Sequence, residues 1–146
     1  MNIAIVYDSR TGTTAQAAAA MGKLLEEQGH QCHVLSVAEA DPEEVSQADF
    51  ICIGSWTKGL YFILQHATRA SKRFIRQLGD LTGKQTAVFC TFKIATGKML
   101  PRMAKALEAK GAKVVGQFQF RGSAPDSAFL SFAKSIDQPV STAHGG

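Results

Sequence analysis

The chain alternates between short, almost unbroken apolar runs and longer stretches in which apolar residues recur every three or four positions. Asn2 to Tyr7 is the first run, with Ile3, Ala4, Ile5 and Val6 in succession. A segment apolar at both odd and even positions fits a central parallel strand covered on both faces. Thr13 to Gln28 then has helical spacing: Ala17, Ala20, Met21, Leu24 and Leu25 share one side, and Gly29 stands where a helix stops. Cys32 to Val37 reads as a second strand. Asp41-Pro42-Glu43-Glu44 carries the marks of a helix start, with a side-chain cap, a proline in the first turn and carboxylates at the positive end.

The same alternation continues to the end of the chain. Asp49 to Gly54 is the third strand, continuously apolar through Phe50-Ile51-Cys52-Ile53, and a loop runs from Ser55 to Leu60. Ile63 to Leu78 has helical spacing with Phe74, Ile75 and Leu78 apolar, and Lys84 to Thr91 is the fourth strand. Lys98 to Lys110 predicts a helix burying Leu100, Met103, Ala104 and Leu107, with Gly111 past its end. Lys113 to Phe120 is the fifth strand, Asp126 to Ile136 a last short helix, and Gln138 to Gly146 a polar tail expected to fray. Strands alternating with helices, without repeat or linker, predict one α/β domain over residues 1–137: a parallel sheet wound with helices on both faces. Ligands of such sheets sit beyond the carboxyl ends of the strands, where the strand order reverses. Loops Asp8 to Thr13, Ser55 to Leu60 and Phe92 to Gly97 leave those ends.

Composition narrows the picture only a little. With 146 residues and 45% hydrophobic content the chain can build a core. No apolar run approaches the roughly 18 residues of a membrane span, and the N-terminus lacks a basic leader, so a cytoplasmic protein is expected. Cys32, Cys52 and Cys90 have neither Cys-x-x-Cys nor zinc spacing and are expected to be buried, inert thiols. His30, His33, His66 and His144 show no metal-ligand spacing. The net charge of +4 is not organised as a basic block interleaved with aromatics, so nucleic acid is not expected. Such an excess suits an acidic protein partner equally well.

The chemistry concentrates in Ser9-Arg10-Thr11-Gly12-Thr13-Thr14, between a buried strand and a helix start. A serine and three threonines supply hydroxyl donors, Gly12 lets the backbone approach closely, and the helix N-terminus adds N–H groups and positive potential. It has neither the Gly-Lys-Ser/Thr ending of a Walker loop nor the three glycines of a dinucleotide fingerprint. A monophosphate held by hydroxyls and backbone fits it better. A phospho-acceptor receiver would need an aspartate where Gly54-Ser55-Trp56 stands. A low-molecular-weight phosphatase would need a cysteine within the first loop.

Ser9-x-Thr11-Gly12-x-Thr14 resembles the flavodoxin signature [Thr/Ser]-x-Thr-Gly-x-Thr, and segment order, length and loop positions are similar over nearly the whole chain. The resemblance implies a five-stranded sheet of order 2-1-3-4-5 with FMN at the switch point between the first and third strands. It also implies that the loop after the third strand, Ser55-Trp56-Thr57-Lys58-Gly59, flanks the flavin. Gly59 matches the glycine that faces the flavin N5. The usual stacking position falls on Lys58, and the single tryptophan, Trp56, lies two residues earlier, which departs from the common pattern. It resembles a branch with a tryptophan followed by Lys-Gly. Trp56 would cover the ring, while Lys58 near the pyrimidine edge would stabilise the reduced flavin and raise its potential. By position, Thr91, Phe92, Lys93 and Gly97 belong to the opposite side of the flavin; Phe92 fits core packing nearly as well.

The implied function is FMN-dependent electron transfer between redox partner proteins, as a monomer or weak dimer. Two alternatives stay open: an FMN-dependent reductase or oxidase acting on a quinone or tetrapyrrole, and an accessory module docking on a larger reductase. Arg69, Lys72, Arg73 and Arg76 fall on one helix face, either as a solvated row or as a docking stripe for an acidic partner.

Overall fold

The computed structural model describes residues 1–9, 12–56, 69–92 and 99–136. Over these, strands β1 (Asn2–Tyr7), β2 (Gln31–Ser36), β3 (Phe50–Trp56), β4 (Gln85–Phe92) and β5 (Lys113–Arg121) alternate with helices α1 (Thr13–Glu26), α2 (Pro42–Ser46), α3 (Arg69–Gln77), α4 (Met99–Glu108) and α5 (Ser127–Ser135). All strand pairs are parallel and the order is β2-β1-β3-β4-β5, as expected. The chain leaves β1 for β2 on one side and returns to β3 on the other, which puts the switch point between β1 and β3.

The pleat divides each central apolar run between two cores. Ile3 and Ile5 of β1, Phe50 and Cys52 of β3, and Ala87 and Phe89 of β4 face α1 and α5, meeting Ala17, Ala18, Met21, Leu25, Phe129 and Ala133. Ala4, Val6, Ile51, Ile53, Val88 and Cys90 face the other way, against Val45, Phe74, Ile75, Leu100, Met103 and Leu107 of α2, α3 and α4. Burial on both faces is why β1, β3 and β4 read as continuous apolar runs, whereas the edge strand β5 alternates. Phe118 packs edge-on to Phe129 at 5.2 Å between ring centroids, and Phe89 lies 6.2 Å from Phe120.

Local signals act as expected at several element ends. The Asp41 carboxylate accepts the Glu43 N–H at 3.0 Å at the start of α2, and Asp126 accepts that of Phe129 at 3.2 Å at the start of α5. Three details differ from expectation. The buried stripe of α1 is Thr14, Ala17, Ala18, Met21, Gly22 and Leu25, with Ala20 and Leu24 only half-buried. A Cβ at Gly22 would lie 2.9 Å from Val34, so close packing of α1 on β2 rotates the helix toward its smallest residue. β3 continues through Ser55 and Trp56 instead of ending at Gly54, because Ser55 pairs with Cys90 and Trp56 with Thr91. In β5 the register skips from Val114 opposite Thr86 to Gly116 opposite Ala87, a bulge that turns Val115 outward. Among the described residues no helix is long and apolar enough to cross a membrane.

Candidate cofactor site

The carboxyl ends of β1, β3 and β4 lie side by side. Tyr7 pairs with Gly54, Trp56 with Thr91, and the Asp8 N–H donates to the Gly54 carbonyl at 3.1 Å, extending the β1–β3 ladder one residue into the first loop. The sequence gives no sign of that tether, since it is a main-chain bond any residue could make.

Gly12 stands immediately before α1 with φ of 95°, the left-handed region in which a side chain is strained. A Cβ there would meet nothing within 4 Å, so the backbone borders open space at the helix start. No side chain of residue 12 caps the helix. Ser9 takes that part: its Oγ accepts the Gly12 N–H at 3.1 Å and the Ala15 N–H at 3.3 Å. A serine oxygen has two acceptor sites and one proton. With both acceptor sites engaged by main-chain donors, the Ser9 hydroxyl is left as a donor itself. The first turn of α1 carries no acidic residue to oppose an anion at its positive end.

Thr14, the second residue of α1, is 1% exposed, and its Oγ1 lies 2.6 Å from Oγ1 of Thr91 near the end of β4. Two residues expected to serve the cofactor separately are thus bonded to one another. Thr13 is half-buried. Ser55 is fully buried in β3 and its hydroxyl donates to the Trp56 carbonyl at 3.1 Å, while Trp56 itself is half-buried at the strand's end. Phe92 closes β4. Arg10, Thr11, Thr57, Lys58, Gly59, Lys93 and Gly97 lie outside the described residues, as does the expected polar tail.

This donor set fits the phosphate of FMN. It offers the Ser9 hydroxyl as a donor at a helix N-terminus, a glycine at the close approach and no acidic residue in the first turn.

The sheet order with a hydroxyl-rich loop at its switch point defines a flavodoxin-type cofactor protein, and the comparisons agree. A family model described as flavodoxin matches residues 5–137. The chain belongs to the flavodoxin family, whose members are FMN-binding electron-transfer proteins. No curated protein matches it by sequence. Among solved structures, two-electron reduced flavodoxin from Megasphaera elsdenii superposes with a TM-score of 0.79 at 21% identity, covering 93% of this chain and 98% of the other. Oxidised flavodoxin 2 from Bacillus cereus gives 0.75 at 22% identity, with both chains covered completely. Rubredoxin oxygen:oxidoreductase from Desulfovibrio gigas gives 0.73 at 17% identity, covering 97% of this chain and 35% of that one. At such identities these likenesses establish the fold.

Proposed function

We propose that residues 1–137 form a single-domain electron carrier that holds FMN across the carboxyl ends of β1, β3 and β4, with its phosphate on the N-terminus of α1. The observation that carries this reading is the Ser9 hydroxyl, fixed as a donor by the Gly12 and Ala15 N–H groups beside an unoccluded glycine. In this reading Ser9, Arg10, Thr11, Gly12, Thr13 and Thr14 hold the phosphate. Ser55, Trp56, Thr57, Lys58 and Gly59 flank one side of the ring, and Phe92, Lys93 and Gly97 the other, with Thr91 at the base of that second loop. Bound FMN supplies reversible uptake of one or two electrons. The chain's residues bind it, orient it and keep water from part of it; Lys58 stabilises the negative charge gained on reduction.

The electron donors and acceptors are proteins with acidic docking surfaces. Arg69, Lys72, Arg73 and Arg76 of α3 are all exposed, while Ser71, Phe74 and Ile75 hold the helix to the sheet. Together with the net charge of +4 this row favours a negatively charged partner. The carrier works in the cytoplasm as a monomer or weak dimer.

The test is reconstitution with FMN followed by stepwise anaerobic reduction. Retained flavin absorbance near ~450 nm and two resolved one-electron steps support the carrier. A single two-electron step with rapid turnover of a quinone supports the reductase instead. Failure to retain FMN supports the accessory module. Electron delivery to an acidic acceptor protein slows as salt rises if the basic face docks it.

A further inference from the structure

The bond between Thr14 and Thr91 joins two segments 77 residues apart, and both side chains are sealed from solvent, at 1% and 4% exposure. Each hydroxyl has one proton and two acceptor sites, so only one of them donates in this bond. If Thr14 donates, its proton is spent on Thr91 and its hydroxyl has nothing left to give an anion. If Thr91 donates, Thr14 keeps its proton, and the bond it receives polarises its own O–H into a stronger donor. The 2.6 Å separation is at the short end for paired hydroxyls.

We propose that Thr91 is a positioning residue for the phosphate site: its hydroxyl donates to Thr14 Oγ1 and thereby commits the Thr14 proton to the anion at the start of α1. The inference rests on the FMN reading above and assigns Thr91 a different task from contact with the ring. In this arrangement Thr91 acts on the phosphate through Thr14, and the bond ties the end of β4 to the start of α1. A phosphate-bearing ligand fixes the direction of the bond. Riboflavin, which has the same ring and no phosphate, leaves it undetermined.

The test compares FMN with riboflavin by quenching of flavin fluorescence on the apoprotein, in wild type, Thr91→Val, Thr91→Ser, Thr14→Val and the double variant. Thr91→Val is expected to weaken FMN about tenfold and riboflavin less than twofold, and Thr91→Ser to restore the wild-type ratio. The relay through Thr14 requires that Thr91→Val add no further FMN-specific loss in a Thr14→Val background. Equal losses for FMN and riboflavin in Thr91→Val overturn the proposal in favour of a ring contact, as does a full additional loss in the double variant. An unchanged FMN-to-riboflavin ratio with lowered stability overturns it in favour of a purely structural clamp. Should Thr91→Val fail to fold, Thr91→Cys, whose thiol is a weak donor, replaces it; an FMN-to-riboflavin ratio equal to that of Thr91→Ser then refutes the relay. Failure of the FMN reading itself shows separately, as wild-type protein that does not prefer FMN over riboflavin.

Discussion

Gly54 sits where β3 passes under the Phe89 ring, one residue before Ser55 and two before Trp56. A Cβ placed on it would lie 2.1 Å from Phe89 Cζ and 2.4 Å from both Cε atoms. Ordinary contact begins near ~3.4 Å, so Gly54→Ala demands a displacement of about 1 Å or more. Phe89 cannot yield cheaply: it is fully buried, and its core also holds Phe118, Phe120 and Phe129. Overpacking a well-filled core costs about 1–3 kcal/mol, and the enclosed ring argues for the upper half of that range. Alanine returns about 0.5–1 kcal/mol through lower chain entropy in the unfolded state. The net expectation is a loss of about 1–2.5 kcal/mol. Equilibrium unfolding in urea should then show a midpoint lower by about 0.5–1.2 M for a slope near 2 kcal/mol per M. Phe89→Leu in the Gly54→Ala background should recover part of the loss. A Gly54→Ala protein as stable as wild type would refute the claim that this glycine exists to admit the ring.

Removing the Asp126 cap from α5 by Asp126→Ala should cost about 1 kcal/mol, read as a lower thermal midpoint with unchanged FMN affinity. Phe129→Ala, which empties the centre of the aromatic cluster, should cost about 3–5 kcal/mol in urea unfolding. Burial pushes the Cys32 thiol up to about 11, helped by the negative charge of Glu26 and opposed by the N-terminal amine; Cys32 is half-buried, where the sequence suggested a buried thiol. Cys52, fully enclosed, is raised further by the same desolvation. Above the ordinary thiol range the unfolded chain therefore releases protons that the folded one retains. The thiols' contribution to stability is fully present below pH ~8.5 and should be lost as pH rises from there through 11; Cys32→Ser should make the decline shallower, and an identical decline would contradict this assignment.

Which parts of this architecture were legible in the sequence follows from where each is encoded. Strands buried on both faces write themselves as apolar runs, so β1 and the start of β3 are plain. Asp41 and Asp126 cap their helices through bonds to residues two and three positions on, and such local bonds can be read from the order of residues. The first loop is local too, since Ser9 bonds to Gly12 and Ala15, three and six positions on. Other features depend on partners far along the chain. β3 runs on to Trp56 because β4 is there to pair with it, and nothing in Ser55-Trp56 announces this. The Gly54 and Phe89 contact, the bulge at Val115 and the Thr14–Thr91 bond have the same origin. Each belongs to the sheet as assembled and not to any one segment.

The central claim is that the N-terminus of α1 with its hydroxyls holds the phosphate of FMN. Calorimetric titration of the apoprotein with FMN and with riboflavin isolates that contact, because the two ligands share the ring and differ in the phosphate. One charge-assisted hydrogen bond is worth about 1.5–3 kcal/mol, so FMN should bind at least tenfold to a hundredfold more tightly, and Ser9→Ala should remove much of the difference. Equal affinity for the two flavins, in wild type and Ser9→Ala alike, would contradict the account.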